Sequence, residues 1–270
     1  MDSVEFLELV KTIYGGQREI TVHRATKPVD HLEGTHSLFP LILPAAFSKN
    51  NIDTRRWKVD KNYLLPNSYY HLLTQAVFLT KAVELSRNSQ ANVLSIGLGG
   101  GTVNGFLHYN FPEMNITVVE NSAQMINLAK RWYDLQIDDH QRVVHADGVT
   151  FLKEQMEKGV KYDAVLLDAC YSRPELAKTF ICPVEVFLEK QVIRSIVQVV
   201  GKRGVFAANI ASYRLSTRNT SRILRKRFSG YFPYCRSIEA EFNQVFYCMH
   251  QSQLKREHVD LFKFLIDNPL

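Results

Sequence analysis

The sequence predicts an α/β fold: a mostly parallel, seven-stranded sheet with helices on both faces and an antiparallel hairpin at its C-terminal end. Three observations carry this. Short apolar, β-favouring runs alternate with helical runs from Asn92 to Phe228. A glycine-rich turn, Gly97-Leu98-Gly99-Gly100-Gly101, joins the first of those apolar runs to a helix. Three acids, Glu120, Asp147 and Asp168, each close a successive predicted strand, and ligands of such sheets collect at the carboxyl ends of the strands.

Residues 3–13 read as a short amphipathic helix ended by Gly15-Gly16, and Arg18 to His23 as a strand. Pro, Gly and Asn scatter through 28–51, which reads as irregular. A helix is expected over 69–85, with Leu72, Leu73, Ala76, Val77, Leu79 and Val83 on its apolar side, and a polar linker over 86–90. Val93-Leu94-Ser95-Ile96 has the near-continuous apolar character of a strand buried on both faces. Thr102 opens a helix whose apolar face is Val103, Phe106, Leu107 and Phe111. Strand 116–120 follows, then a helix over 122–133 burying Met125, Ile126, Ala129 and Trp132.

The alternation continues with strand 142–146, helix 149–157, strand 162–167, helix 184–200, strand 204–210 and helix 214–228. Two strands near 234–240 and 243–249 form the hairpin. The expected division is an N-terminal extension over 1–56, a ligand-binding domain over 57–250 and a helical tail over 251–270.

Composition narrows the class. At 46% apolar residues the chain can bury a sizeable core. A net charge of +6 suits acidic partners but does not by itself indicate nucleic-acid binding. The four cysteines, Cys170, Cys182, Cys235 and Cys248, form no C-x-x-C pair and read as reduced thiols of an intracellular, cytoplasmic protein. The acidic N-terminus lacks the charge pattern of a signal peptide. The apolar run from Leu38 to Phe47 is broken by Pro40 and Pro44 and is too short to span a membrane, and no metal site is expected.

The glycine turn, the helix N-terminus and Glu120, 23 residues after Gly97, form a half-site for a nucleoside cofactor. A dinucleotide fingerprint needs a third glycine where Thr102 stands. The alternative is S-adenosylmethionine (SAM), which carries a nucleoside and an amino-acid carboxylate but no phosphate. Glu120, followed by Asn121, is placed to accept from ribose hydroxyls, and Asp147-Gly148 to meet the adenine amino group. Asp168 faces the methionine end or the acceptor. An acid after a strand is also a common helix cap, so Asp147 carries both readings. Tyr70 and His71, at the start of the helix before the first sheet strand, are candidates to gate the acceptor, or simply begin an amphipathic helix.

Gly97-Leu98-Gly99-Gly100-Gly101, Val119-Glu120, Ala146-Asp147-Gly148 and Tyr162-Asp163 with Asp168 resemble the spermidine-synthase-like branch of the class I SAM methyltransferases. Within it the chain is similar to the elongation factor 1-alpha N-terminal methyltransferase family. Val59 to Leu64, Gly204-Val205-Phe206 with Asn209, and Glu239 to Val245 also fit, so the resemblance covers about 57–250. It implies a Rossmann-like fold, SAM as cofactor, and a protein amine as acceptor, on a translation factor. Its implied cofactor residues are Gly97, Gly99, Gly100, Gly101, Glu120, Asn121, Asp147 and Gly148, with Asp168 and Tyr70 as catalytic residues.

Polyamine aminopropyltransferases of the same branch resemble Gly-Gly-Gly-Asp-Gly, with an aspartate for the amine of decarboxylated SAM. Here Thr102 takes that place. They also carry Asp-x-x-Asp-Pro for a diamine, whereas this chain runs from Asp168 to Arg173-Pro174 without the second acid. A third reading is a non-catalytic module that binds a partner. Arg214, Arg218, Arg222 and Lys226 recur every four residues, a face suited to an acidic protein or RNA phosphates, or merely solvated. The lack of interleaved aromatics weakens base stacking.

Overall fold

The computed structural model describes residues 3–14, 17–27, 37–46, 53–240, 243–251 and 260–269. At its centre is β4 (Asn92–Ile96), flanked by β5 (Asn115–Glu120) and β6 (Gln141–His145) on one side and by β7 (Tyr162–Leu167) and β8 (Val200–Ile210) on the other, all parallel. Beyond β8 the strands β10 (Gln244–Met249) and β9 (Tyr234–Glu239) pair antiparallel, completing the order β6-β5-β4-β7-β8-β10-β9. The strand order reverses between β4 and β7, which opens a crevice at their carboxyl ends.

Alternation of side chains within single strands builds both layers. Val93, Ala164, Leu166, Val205 and Ala207 face one core with α1 (Tyr69–Leu79), α2 (Thr102–Asn110), α3 (Ala123–Trp132) and α7 (Leu261–Asp267). Leu94, Ile96, Val165, Leu167, Phe206 and Ala208 face the other, with α4 (Gly148–Glu157), α5 (Lys190–Val199) and α6 (Thr217–Phe228). A strand whose neighbours in sequence face two separate cores must be apolar throughout, which is what the composition of β4 and β7 reflects. No helix among the described residues is long and apolar enough to cross a membrane.

Several expectations are corrected. Residues 3–13 form no helix: β1 (Ser3–Tyr14) pairs antiparallel with β2 (Gln17–Lys27), which pairs with β3 (Ser37–Pro40). Its Val, Thr, Ile, Phe and Tyr residues suit a pleated strand, and β2 satisfies its backbone over the whole length. Gly15-Gly16 and most of the stretch read as irregular, 28–36 and 47–51, lie outside the described residues. The helix expected over 69–85 stops at Leu79, where Thr80 caps it and Lys81 turns to positive φ. The one expected over 184–200 is a 3-10 turn, Glu185–Leu188, then α5, because Glu189 between them is extended. Helix α6 starts at Thr217, with Ser216 accepting from the Asn219 amide, so Arg214 lies ahead of the predicted stripe.

The cysteines are paired, not free: Cys170 with Cys182 and Cys235 with Cys248. The cause is tertiary. Register puts Cys235 opposite Cys248 across β9 and β10, and the Tyr171 amide, donating to the Ile181 carbonyl at 3.0 Å, folds the loop after β7 back on itself beside Cys170 and Cys182.

The N-terminal sheet docks beside the glycine turn. The Thr26 and Tyr133 hydroxyls lie 2.5 Å apart, and the buried Arg24 guanidinium donates to the carbonyls of Thr54 and Trp132. Ser37 Oγ accepts from the Gly100 amide at 2.7 Å.

One glycine holds the crevice in shape. Gly97 has φ +95°, and a Cβ there would lie 2.3 Å from the Asp168 carbonyl oxygen. Gly97→Ala is expected to lose about 3 kcal/mol or more of stability, because neither backbone can give way. Gly159 also has positive φ but open space around it, so Gly159→Ala should cost only about 1–2 kcal/mol. Chemical denaturation of the two variants checks the contrast.

Candidate active site

A cavity of about 400 Å³ opens at the carboxyl ends of β4, β5 and β7, lined by Gly97, Leu98, Gly99, Tyr69, Tyr70 and Asp168. Glu120, Asn121, Asp147 and Gly148 complete the rim, so the sequence-predicted residues from four separate strand ends share one space. Gly100 and Gly101 do not line it. Gly100 packs against Ser37, Phe39 and Tyr133 instead, and Gly101 is the left-handed residue that starts α2.

The three strand-end acids have different surroundings. Glu120 accepts from the Leu98 amide at 2.9 Å and the Ser122 amide at 2.8 Å, tying the glycine turn to the start of α3. Each carboxylate oxygen keeps a lone pair for a ligand. Asp147 Oδ1 accepts from the Thr150 amide and hydroxyl, so the cap reading holds for that oxygen. A Cβ on Gly148 would approach Ile96 to 2.8 Å and Phe187 to 3.0 Å, so packing alone requires glycine there.

Asp168 is bound most tightly. Its amide donates to the Ile96 carbonyl at 2.8 Å, and its carboxylate accepts from Asn209 Nδ2 at 2.7 Å. Asn209 Oδ1 in turn accepts from Asn243 Nδ2 at 2.7 Å. The Tyr69 hydroxyl is also hydrogen-bonded to the carboxylate. Burial pushes the Asp168 carboxyl up to about 6, and the bonds from Asn209 and Tyr69 hold it below where burial alone would put it. Cys170 Sγ, 3.7 Å away, is a disulfide sulfur without a proton, so it contributes contact and not a hydrogen bond.

Both tyrosines lie well above their ordinary range because they are buried and face the Asp168 charge, so they stay neutral donors. Tyr70, the tyrosine singled out from sequence, stands between Tyr69 and Thr102, and Tyr69 is the one that reaches Asp168. His71 does not gate the cavity: its Nδ1 accepts from the Asn67 amide and its ring lies against Phe262. Tyr69, Asn209 and Asn243 were not predicted as site residues. The only signal for Asn209 and Asn243 was a polar residue at a strand end within stretches that fit the resemblance.

The Thr102 hydroxyl is also buried on the cavity wall, without a well-formed hydrogen bond. Gly101 supplies no side-chain cap to α2, so the first amides of that helix also lack one. An uncapped helix N-terminus beside an orphan hydroxyl is suited to a carboxylate. With the acid Glu120 and the apolar Phe187 and Met125 also on the walls, the cavity is chemically consistent with SAM.

Structural comparison gives a TM-score of 0.59 with human methyltransferase-like protein 13 in complex with SAH, at 21% identity, covering 73% of this chain and 88% of that one. Spermidine synthase from Thermotoga maritima gives 0.53 at 15% identity, covering 95% of this chain and 75% of that one. The chain has the spermidine-synthase-like SAM methyltransferase fold.

No family model matches the chain. In sequence it is a distant homologue of eEF1A lysine and N-terminal methyltransferases. It is 31% identical over 202 residues to the homolog from Drosophila pseudoobscura pseudoobscura, and 27% identical over 201 residues to the human protein. These matches cover 74% and 72% of this chain but only 29% and 28% of those proteins. Polyamine aminopropyltransferase of Vibrio vulnificus is 28% identical over 158 residues, 58% of this chain and 50% of that protein. The similarity thus reaches both chemistries hosted by the spermidine-synthase-like fold.

The raised Asp168 carboxyl has a consequence for stability. The folded state favours its protonated form, so its contribution is fully present below about 4 and is lost as pH rises through about 6. Asp168→Asn is expected to remove that decline, so the variant gains on the native chain between pH 4.5 and pH 7. Denaturation midpoints at the two pH values measure it.

Proposed function

We propose that this chain is a SAM-dependent methyltransferase whose acceptor is a protein amine, an N-terminal α-amine or a lysine. The observation that carries the reading is the charge layout of the cavity. The acid Asp168 and a neutral Thr102 hydroxyl without a well-formed hydrogen bond both line it. Thr102 with the start of α2 would hold the methionine carboxylate, Glu120 the ribose, and Asn121, Asp147 and Gly148 the adenine side. Gly97 and Gly99 present bare backbone to the ligand, and Gly100 and Gly101 shape their turn. When bound, SAM supplies a methyl group already activated by its sulfonium.

What remains for the protein is to align a neutral nitrogen. Asp168, fixed by Asn209 and Tyr69, accepts a hydrogen bond from the amine and takes its departing proton. Tyr70, packed between Tyr69 and Thr102, walls the route to the acceptor. A carboxyl near 6 is a better match for an α-amine, at about 7.7–8, than for a lysine, at about 10.4. The distant homology to eEF1A methyltransferases supports a translation factor as the protein acceptor.

Aminopropyl transfer to a polyamine is the second reading, favoured by the likeness to the Vibrio vulnificus enzyme. Thr102 opposes it, since it leaves the amine of decarboxylated SAM unpaired. Arg173 opposes it too, because it meets a dication with like charge.

Calorimetry should find SAM bound at least about tenfold more tightly than decarboxylated SAM, a difference of about 1.4 kcal/mol. The reverse preference would move the chain to aminopropyl transfer, and no binding of either would leave a non-catalytic module. Glu120→Ala should weaken SAM by about 1–3 kcal/mol. Asp168→Asn should cut turnover while leaving most SAM affinity in place. Tritiated SAM with cell extract should label a polypeptide, and label in RNA or polyamines would remove the protein-amine reading.

A further inference from the structure

Beyond the cavity, the loops that follow β7 and β8 are knitted into one body. The Ile181 amide donates to the Ala211 carbonyl at 2.8 Å, the Ala211 amide to Cys182 at 2.9 Å, and Ser212 Oγ to the Thr179 carbonyl at 2.6 Å. Ala177, Ile181 and Cys182 are buried together with Cys170, Tyr171 and Ala211 packed on them, and the Cys170–Cys182 disulfide closes the loop. Glu185 fixes the same segment by accepting from the Thr179 and Phe180 amides. This body begins where the cavity ends, since Asp168, Cys170 and Ser172 line the cavity.

Its outer surface is unusual in two respects. Tyr213, next to the bonded Ser212, is 82% exposed, and Leu176, whose amide donates to the Arg173 carbonyl at 3.0 Å, is 60% exposed. Exposed apolar side chains set among polar ones can serve as anchors where a partner covers them. Between and beside them stand the exposed cations Arg173, Lys178 and Arg214. None of the three forms an ion pair among the described residues. The acids of this segment are otherwise engaged: Glu185 holds backbone amides and Glu175 has a partner of its own.

We propose that this body is a docking platform for an acidic polypeptide segment with interspersed apolar residues, lying next to the amine that is methylated. The inference rests on the protein-amine reading above and adds the acceptor's sequence class. A chain whose amine reaches Asp168 and that leaves the cavity past Ser172 runs on toward Arg173, Leu176 and Lys178, with Tyr213 on the loop bonded to theirs. Carboxylates on that chain meet uncompensated cations, and its apolar residues meet Leu176 and Tyr213.

The test uses the full chain with S-adenosylhomocysteine and two fluorescent peptides with free α-amines. One alternates Glu and Leu after an N-terminal glycine, and the other has Gln for every Glu. Fluorescence anisotropy should show the acidic peptide bound at least about tenfold more tightly, with the advantage shrinking as salt rises from about 0.05 to about 0.3 M. Lys178→Glu combined with Arg214→Glu should abolish the preference, and Tyr213→Ala should weaken both peptides. SAM affinity should stay the same in each, which also reports folding.

Equal binding of the two peptides, or a preference that survives the double charge reversal, would overturn the platform. So would an oligouridylate that displaces the acidic peptide and binds more tightly, since the cations would then serve phosphates. Discrimination between peptides without SAM binding would support the platform while faulting the methyltransfer reading, which keeps the two failures distinct.

Discussion

The contact between the Gly97 backbone and the Asp168 carbonyl is the constraint on which the site depends. Strands β4 and β7 run parallel with Ile96 opposite Leu167, and the Asp168 amide donates to Ile96 as the ladder ends. The next residue on β4 must then turn away within a space that leaves no room for a Cβ, since that atom would lie 2.3 Å from the carbonyl. Only glycine, which tolerates positive φ and close backbone approach, satisfies both demands. The glycine turn and Asp168 therefore lie side by side on the lining of one cavity, where the reversal of strand order leaves a crevice.

Around that contact, chemically similar acids are driven to different ends by what surrounds them. Asp147 is exposed and caps a helix, a role worth about 1 kcal/mol. Glu120 joins two loop amides and so couples the glycine turn to the start of α3. Asp168 is half-buried at the cavity wall, and loss of solvation raises its carboxyl to about 6 despite the donors aimed at it. A carboxylate so placed has few water partners, so the chain Asn243–Asn209–Asp168 supplies them. Neutral donors, Asn209 and the tyrosines of α1, thus gather around the one acid of this part of the cavity.

The N-terminal sheet takes part in the same arrangement. Its β3 meets the back of the glycine turn, where Ser37 accepts from Gly100 and Phe39 packs on Tyr133 at 5.0 Å between ring centroids. Gly100 is thus conformationally committed by protein on its outer side, while Gly97 and Gly99 line the inner side. The buried Arg24, donating to the Thr54 and Trp132 carbonyls, ties this sheet to the end of α3. Burying a guanidinium costs solvation, and charge-assisted bonds to carbonyls offset it.

The sequence by itself determined the α/β alternation, the central strand and the meeting of glycine turn, Glu120, Asp147 and Asp168 at one sheet edge. These are local signals: apolar runs, 3.6-residue spacing, glycines and acids at strand ends are written within short windows. Tertiary structure decided the rest. Residues 3–13 are a strand because β2 is there to pair with them, although their spacing also suits a helix. Tyr69 rather than Tyr70 reaches Asp168 because the turn of α1 against the sheet selects between neighbours. Asn209 and Asn243 join the site because β8 and β10 pair antiparallel, and the cysteines pair because strand register and a loop bridge bring them together across 12 and 13 residues. Each of these outcomes depends on which distant segment arrives as a neighbour, and that information is spread over the whole chain.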